Sequence, residues 1–122
     1  MLKTASAGLL ALVTASMLVT AVDAHPTLKA ATPAAESTAA APKEIRLTFS
    51  EMVIAKFSSA ELKDHAGRPI ATGALATDPL DQKQLIVPLQ SPLTAGTYTV
   101  KWNVVSVDTH RVSGTYSFKV DR

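Results

Sequence analysis

The chain has 122 residues, 47% of them hydrophobic, with 12 Lys+Arg against 10 Asp+Glu. A net charge of +2 without a basic run gives no footing for nucleic acid or an anionic membrane as partners. Cysteine is absent, which excludes disulfides and any thiolate site for zinc, iron–sulfur or copper(I). A metal would have to be held by His, Asp, Glu, Met or a free N-terminal amine.

Met1-Leu2-Lys3 is a short basic start, and residues 5–22 carry no charge. Val22-Asp23-Ala24 places branched and small residues at the two positions a signal peptidase reads. Residues 1–24 therefore read as a cleaved signal peptide, and an uncleaved anchor is the alternative. Removing 24 residues from 122 leaves 98, enough for one small domain over 25–122 with a single core. His25 would then be the first residue and Pro26 the second.

Residues 27–31 suit a short first strand. Residues 32–43 are small and polar, bracketed by Pro33 and Pro42, and read as a loop across one end of the domain. Residues 44–50 alternate, with Ile45, Leu47 and Phe49 facing a core. Residues 57–62 are a candidate strand, closed by the turn Asp64-His65-Ala66-Gly67. Residues 70–75 form a weak strand. Residues 84–89 are a short apolar one, in which Pro88 marks an edge or a strand end. Residues 92–96 turn. Residues 96–104 are the clearest strand, with Tyr98, Val100, Trp102 and Val104 on one face. Residues 112–120 close the chain through Tyr116, Phe118 and Val120. Short strands at this spacing, without a convincing amphipathic helix, argue a Greek-key β-sandwich or barrel.

Two places could carry chemistry. Asp108-Thr109-His110 lies between the last two strands, and in extended conformation such a triplet points both end side chains the same way. Taken alone it reads first as a polar loop with a solvated Asp and His. An N-terminal His25 adds an amine and an imidazole, a bidentate chelate that no internal His can form. Pro26 has no N–H, so its peptide nitrogen cannot capture the metal. Together His25, Asp108 and His110 offer three nitrogens and one oxygen, a set suited to tetragonal copper(II). Met52 reads as a core or loop filler, and His65 as an exposed turn residue. Tyr98, Trp102, Tyr116 and Phe118 read as ordinary core.

The pattern resembles the CopC family of periplasmic copper-binding proteins. His25-Pro26, Leu47-Thr48-Phe49-Ser50-Glu51, residues 96–102 and residues 105–118 carry the likeness, which extends over essentially all of 25–122. The resemblance implies an all-β, seven-stranded Greek-key β-barrel or sandwich, Ig-like or cupredoxin-like in layout. It also implies a Cu(II) site of His25, Asp108 and His110. Glu51 matches a family acid near that site, with a hydrogen bond to a ligand as its role; an exposed acid at a strand end is the alternative. Several members carry a Met-rich loop forming a copper(I) site. Here Met52 is the one methionine beyond residue 24, so copper(II) alone is expected.

The leading expectation is a periplasmic copper(II) carrier or buffer in copper tolerance or uptake. It is not an enzyme, is expected as a monomer, and has an inner-membrane copper transporter as its partner by family analogy. A copper-dependent oxidative enzyme with an N-terminal His chelate is the second reading. Against it stand the short chain, its six aromatics, and an Asp108 that would occupy a coordination position. A metal-free Ig-like assembly module is the third.

Overall fold

The computed structural model describes residues 26–121. Within them the alternating segments become strands, because period-two patterning gives each strand one apolar face to bury. In chain order these are β1 (Leu28–Thr32), β2 (Thr38–Ala39), β3 (Glu44–Phe49), β4 (Ser59–Asp64), β5 (Pro69–Ile70), β6 (Ala76–Asp78), β7 (Asp81–Pro88), β8 (Gly96–Val105) and β9 (Arg111–Val120). They form a four-stranded sheet in the order β1-β3-β7-β6 and a five-stranded sheet in the order β2-β9-β8-β4-β5. The chain passes repeatedly between the sheets, and the result is a β-sandwich. Seven strands have three or more residues, and β2 and β5 are two-residue additions at the edges of the second sheet.

Ile45, Leu47 and Phe49 of β3 are fully buried, as are Leu85 and Val87 of β7. They meet Val100, Trp102 and Val104 of β8 and Phe118 of β9 from the facing sheet. Each such side chain contributes about 1.5–3 kcal/mol by leaving water. Phe49 and Trp102 join the two sheets edge to face, with centroids 5.2 Å apart. Trp102 lies flat over its cross-strand partner Gly114, where a Cβ would come within 2.4 Å of the indole. Buried Tyr98 donates its hydroxyl to the Thr94 carbonyl at 2.7 Å, so its polar end is satisfied.

Three expectations change in the fold, and one left open is decided. The 32–43 loop contains β2, which pairs parallel to β9 (Thr38 with Lys119, Ala39 with Val120). Phe57 stands in a 3-10 turn, Ala55–Phe57, and is 56% exposed. The Ser58 hydroxyl fixes that turn by donating to the Ile54 carbonyl and accepting the Val105 amide, so β4 starts only at Ser59. The weak strand over 70–75 is divided between two sheets: β5 ends at Ile70, Thr72 makes one bridge to Leu89, and β6 starts at Ala76. Pro88 is the last residue of β7, a strand inside its sheet, so it marks a strand end and not an edge.

Candidate metal centre

The β8–β9 hairpin is paired without interruption from Gly96 with Val120 to Val105 with Arg111. Its connection, residues 106–110, places Asp108 and His110 together. The triplet is not extended as the sequence suggests. Thr109 takes a left-handed conformation, φ 71°, and the chain reverses between the two ligand candidates. Such a backbone costs a non-glycine residue about 1–2 kcal/mol, and the turn offsets it with hydrogen bonds. The Thr109 amide donates to the Ser106 carbonyl at 2.9 Å, and the Ser106 amide donates to the His110 carbonyl at 2.9 Å.

His110 Nδ1 lies 3.2 Å from Asp108 Oδ1. Two donors in neighbouring positions of a tetragonal metal, each about 2.0 Å from it, stand about 2.8 Å apart. The pair is thus close to the spacing that one ion requires. Both side chains keep contact with solvent, at 47% exposure for Asp108 and 41% for His110. The Asp108 carboxyl is held below its ordinary pKa, first by the Ser106 hydroxyl bonded to it and then by His110. It is therefore an anion at neutral pH and needs no deprotonation to bind a cation. Among the described residues no group of three or more His, Cys, Asp or Glu could hold a metal. Asp108 and His110 stand together as a pair of candidate donors.

The segment 50–54 connects this pair with the start of the described chain. On one side the Thr27 amide donates to Ser50 Oγ at 2.9 Å, and the Ser50 amide donates to the Thr27 carbonyl at 2.9 Å. Pro26 is fully buried. On the other side the Val107 amide donates to the Met52 carbonyl at 3.0 Å, and the Ile54 amide to the Val105 carbonyl at 2.8 Å. Thr27 and the hairpin turn are thus fastened to the same five residues. His25 lies outside the described residues.

Glu51 sits in the shared segment, half-buried, and makes no hydrogen bond to Asp108 or His110. Met52 and Val107 are exposed beside the turn, at 42% and 46%. His65 is at the other end of the second sheet. Its neighbour Asp64 pairs with Tyr98, seven residues along β8 from Val105, or about 23 Å at about 3.3 Å per residue. His65 cannot share a metal with His110. Trp102 is 6% exposed, packed on Phe49 and Gly114, and its indole N–H finds no partner among the described residues.

Sequence reasoning missed Ser106. It is fully buried, bridges to Val53, and bonds the Asp108 carboxylate directly. One signal was available: a lone serine in the apolar run Val104-Val105-Ser106-Val107, two residues before the aspartate.

Comparison with known proteins places the chain. The CopC domain family model matches residues 28–121. "Copper resistance protein C" of Pseudomonas syringae pv. tomato is 44% identical over 114 residues, covering 87% of this chain and 89% of that protein. "Protein YobA" of Escherichia coli K12 is 46% identical over 112 residues, covering 91% and 90%. Among solved structures, PcoC, "a Methionine Rich Copper Resistance Protein from Escherichia coli", superposes with a TM-score of 0.74 at 43% identity. It covers 80% of this chain and 100% of that one. CopC from Methylosinus trichosporium OB3b gives 0.73 at 34% identity, covering 80% and 94%.

Proposed function

The chain belongs to the CopC family, and from that premise we propose that it is an exported, periplasmic copper(II)-binding protein serving copper tolerance or uptake. It acts as a carrier or buffer and not as an enzyme. The observation that carries the reading is the Asp108–His110 pair, 3.2 Å apart on a turn fastened to the segment that also fastens Thr27.

Cleavage after Ala24 makes His25 the N-terminal residue, one peptide bond from buried Pro26. Its amine and imidazole supply two nitrogens, His110 a third and Asp108 an anionic oxygen. Three nitrogens and a carboxylate favour copper(II) over copper(I), which prefers thiolate and thioether donors. Where PcoC is described as methionine-rich, this chain has Met52 alone beyond residue 24. Half-exposed ligands let the ion exchange with an acceptor without the domain opening. Met52 and Val107 are apolar surface beside the ion for such an acceptor, an inner-membrane copper transporter, to meet the monomer.

Mass spectrometry of the exported protein, with and without copper, tests the reading. The expected result is a mature chain starting at His25 that binds one copper(II) ion, with a tetragonal, nitrogen-coupled electron paramagnetic resonance spectrum. A different first residue, or binding abolished by Met52→Ala while His110→Ala leaves it intact, overturns the ligand set. Oxygen consumption with a reductant separates the carrier from an oxidative enzyme.

A further inference from the structure

We propose that Ser106 is a positioning residue of the copper site: its buried hydroxyl orients the Asp108 carboxylate and locks the His110 backbone, so that both donors face one ion before it arrives. The inference rests on the copper reading of Asp108 and His110 and deepens it.

Ser106 is fully buried although it sits at the mouth of a hairpin turn. The burial comes from its antiparallel bridge to Val53, flanked by the Ile54–Val105 and Val107–Met52 backbone bonds. A hydroxyl at such a position needs partners inside the protein, and these are the two ligand residues. Ser106 Oγ donates to Asp108 Oδ1 and accepts the His110 amide at 3.2 Å. Its backbone amide and carbonyl bond the His110 carbonyl and the Thr109 amide, at 2.9 Å each. One residue thereby holds all three members of the triplet.

The hydroxyl matters for the metal because Asp108 is 47% exposed. Without a fixed donor, an exposed carboxylate samples several rotamers, and binding must order it. The Ser106 bond does the ordering in advance. It also leaves the carboxylate lone pairs that are not bonded to serine available to the ion. Partners of this kind, one bond behind a ligand, typically change metal affinity about 10–100-fold.

The test is a double-mutant cycle on the mature protein, reading the copper(II) dissociation constant against a competing chelator. Ser106→Ala should weaken binding about 10-fold and broaden the copper(II) resonance spectrum, and Asp108→Ala should weaken it more. Adding Ser106→Ala to Asp108→Ala should cost clearly less than Ser106→Ala alone, because the share of the serine's effect that runs through the carboxylate is already gone. Ser106→Thr, which keeps the hydroxyl, should restore the Ser106→Ala loss. Additive losses, or unchanged affinity and spectrum in Ser106→Ala, would overturn the inference. An unchanged affinity in Asp108→Ala would overturn the copper site reading itself, which distinguishes the two failures. Should the serine variants fail to fold, the copper-loaded wild-type structure decides. Asp108 must bind the ion while still accepting from Ser106 Oγ, and a carboxylate turned away from the serine refutes the proposal.

Discussion

Two turns of the five-stranded sheet each contain an aspartate and a histidine, and they lie at opposite ends of β8. After β4, Asp64 is 15% exposed, and its carboxylate accepts the Ala66 and Arg68 amides at 2.9 Å each and Arg68 Nε at 3.1 Å. Gly67 takes the left-handed position, φ 80°, and His65 points to solvent. Between β8 and β9, Asp108 is 47% exposed, bonds the Ser106 hydroxyl and faces His110, and a threonine takes the left-handed position. In the first turn the carboxylate is used up in holding its own loop. In the second a buried serine does the holding, and the carboxylate stays beside an imidazole. The same residue types thus give a self-contained structural turn in one place and, in the other, the carboxylate–imidazole pair proposed to hold copper. The difference lies in which groups satisfy the backbone.

Substitution at the two histidines should separate the turns most sharply. His110→Ala and Asp108→Ala remove donors and should each weaken copper(II) binding by more than about 100-fold, beyond the range of a supporting residue. His65→Ala should leave it within about twofold. Equal effects in a chelator competition would erase the distinction.

Acid should act on the two turns in different ways. Copper affinity should fall as the pH is lowered, because protons compete with the metal for the imidazole and amine donors. A flat profile would remove those nitrogens from the ligand set. The fold responds through its depressed carboxyls, Asp108 and Asp78 among them, and in the first turn through Asp64, held below its ordinary pKa first by the Arg68 amide. A depressed carboxyl stabilises the fold above its unfolded pKa of about 3.9, and that contribution is lost as pH falls through the folded value. Urea midpoints of the copper-free protein should therefore hold from pH 7 to 5 at this site and drop below pH 4. Asp64→Asn should blunt that drop while leaving copper affinity unchanged.

Backbone strain gives the smallest contrast. Gly67→Ala should destabilise by about 1–2 kcal/mol, because the left-handed conformation alone penalises the added Cβ; no atom lies within 4 Å of it. Thr109→Gly relieves a similar penalty but loosens the unfolded chain, for a net change within about 1 kcal/mol. Urea denaturation of both variants checks the pair. A loss at Thr109→Gly as large as that at Gly67→Ala would mean that threonine is held there by contacts beyond the backbone.

The sequence by itself determined the strands whose order is local. β3, β8 and β9 were legible because alternation along one strand needs no knowledge of its partner, and Ile45, Leu47, Phe49, Trp102 and Phe118 are buried accordingly. Asp108 and His110 were legible as a pair because two residues apart are neighbours in almost any conformation, although the extended geometry expected for them is a turn. Tertiary structure decided what depends on a second segment. β2 exists only because the end of β9 lies beside residues 38–39. Phe57 leaves its expected strand because Ser58 bonds both Ile54 and Val105. Ser106 has nothing in its local sequence to say that it is buried; Val53, more than fifty positions earlier, covers it. A polar group's burial and its partners are set by distant chain brought close in space, and a periodicity of two carries no information about that.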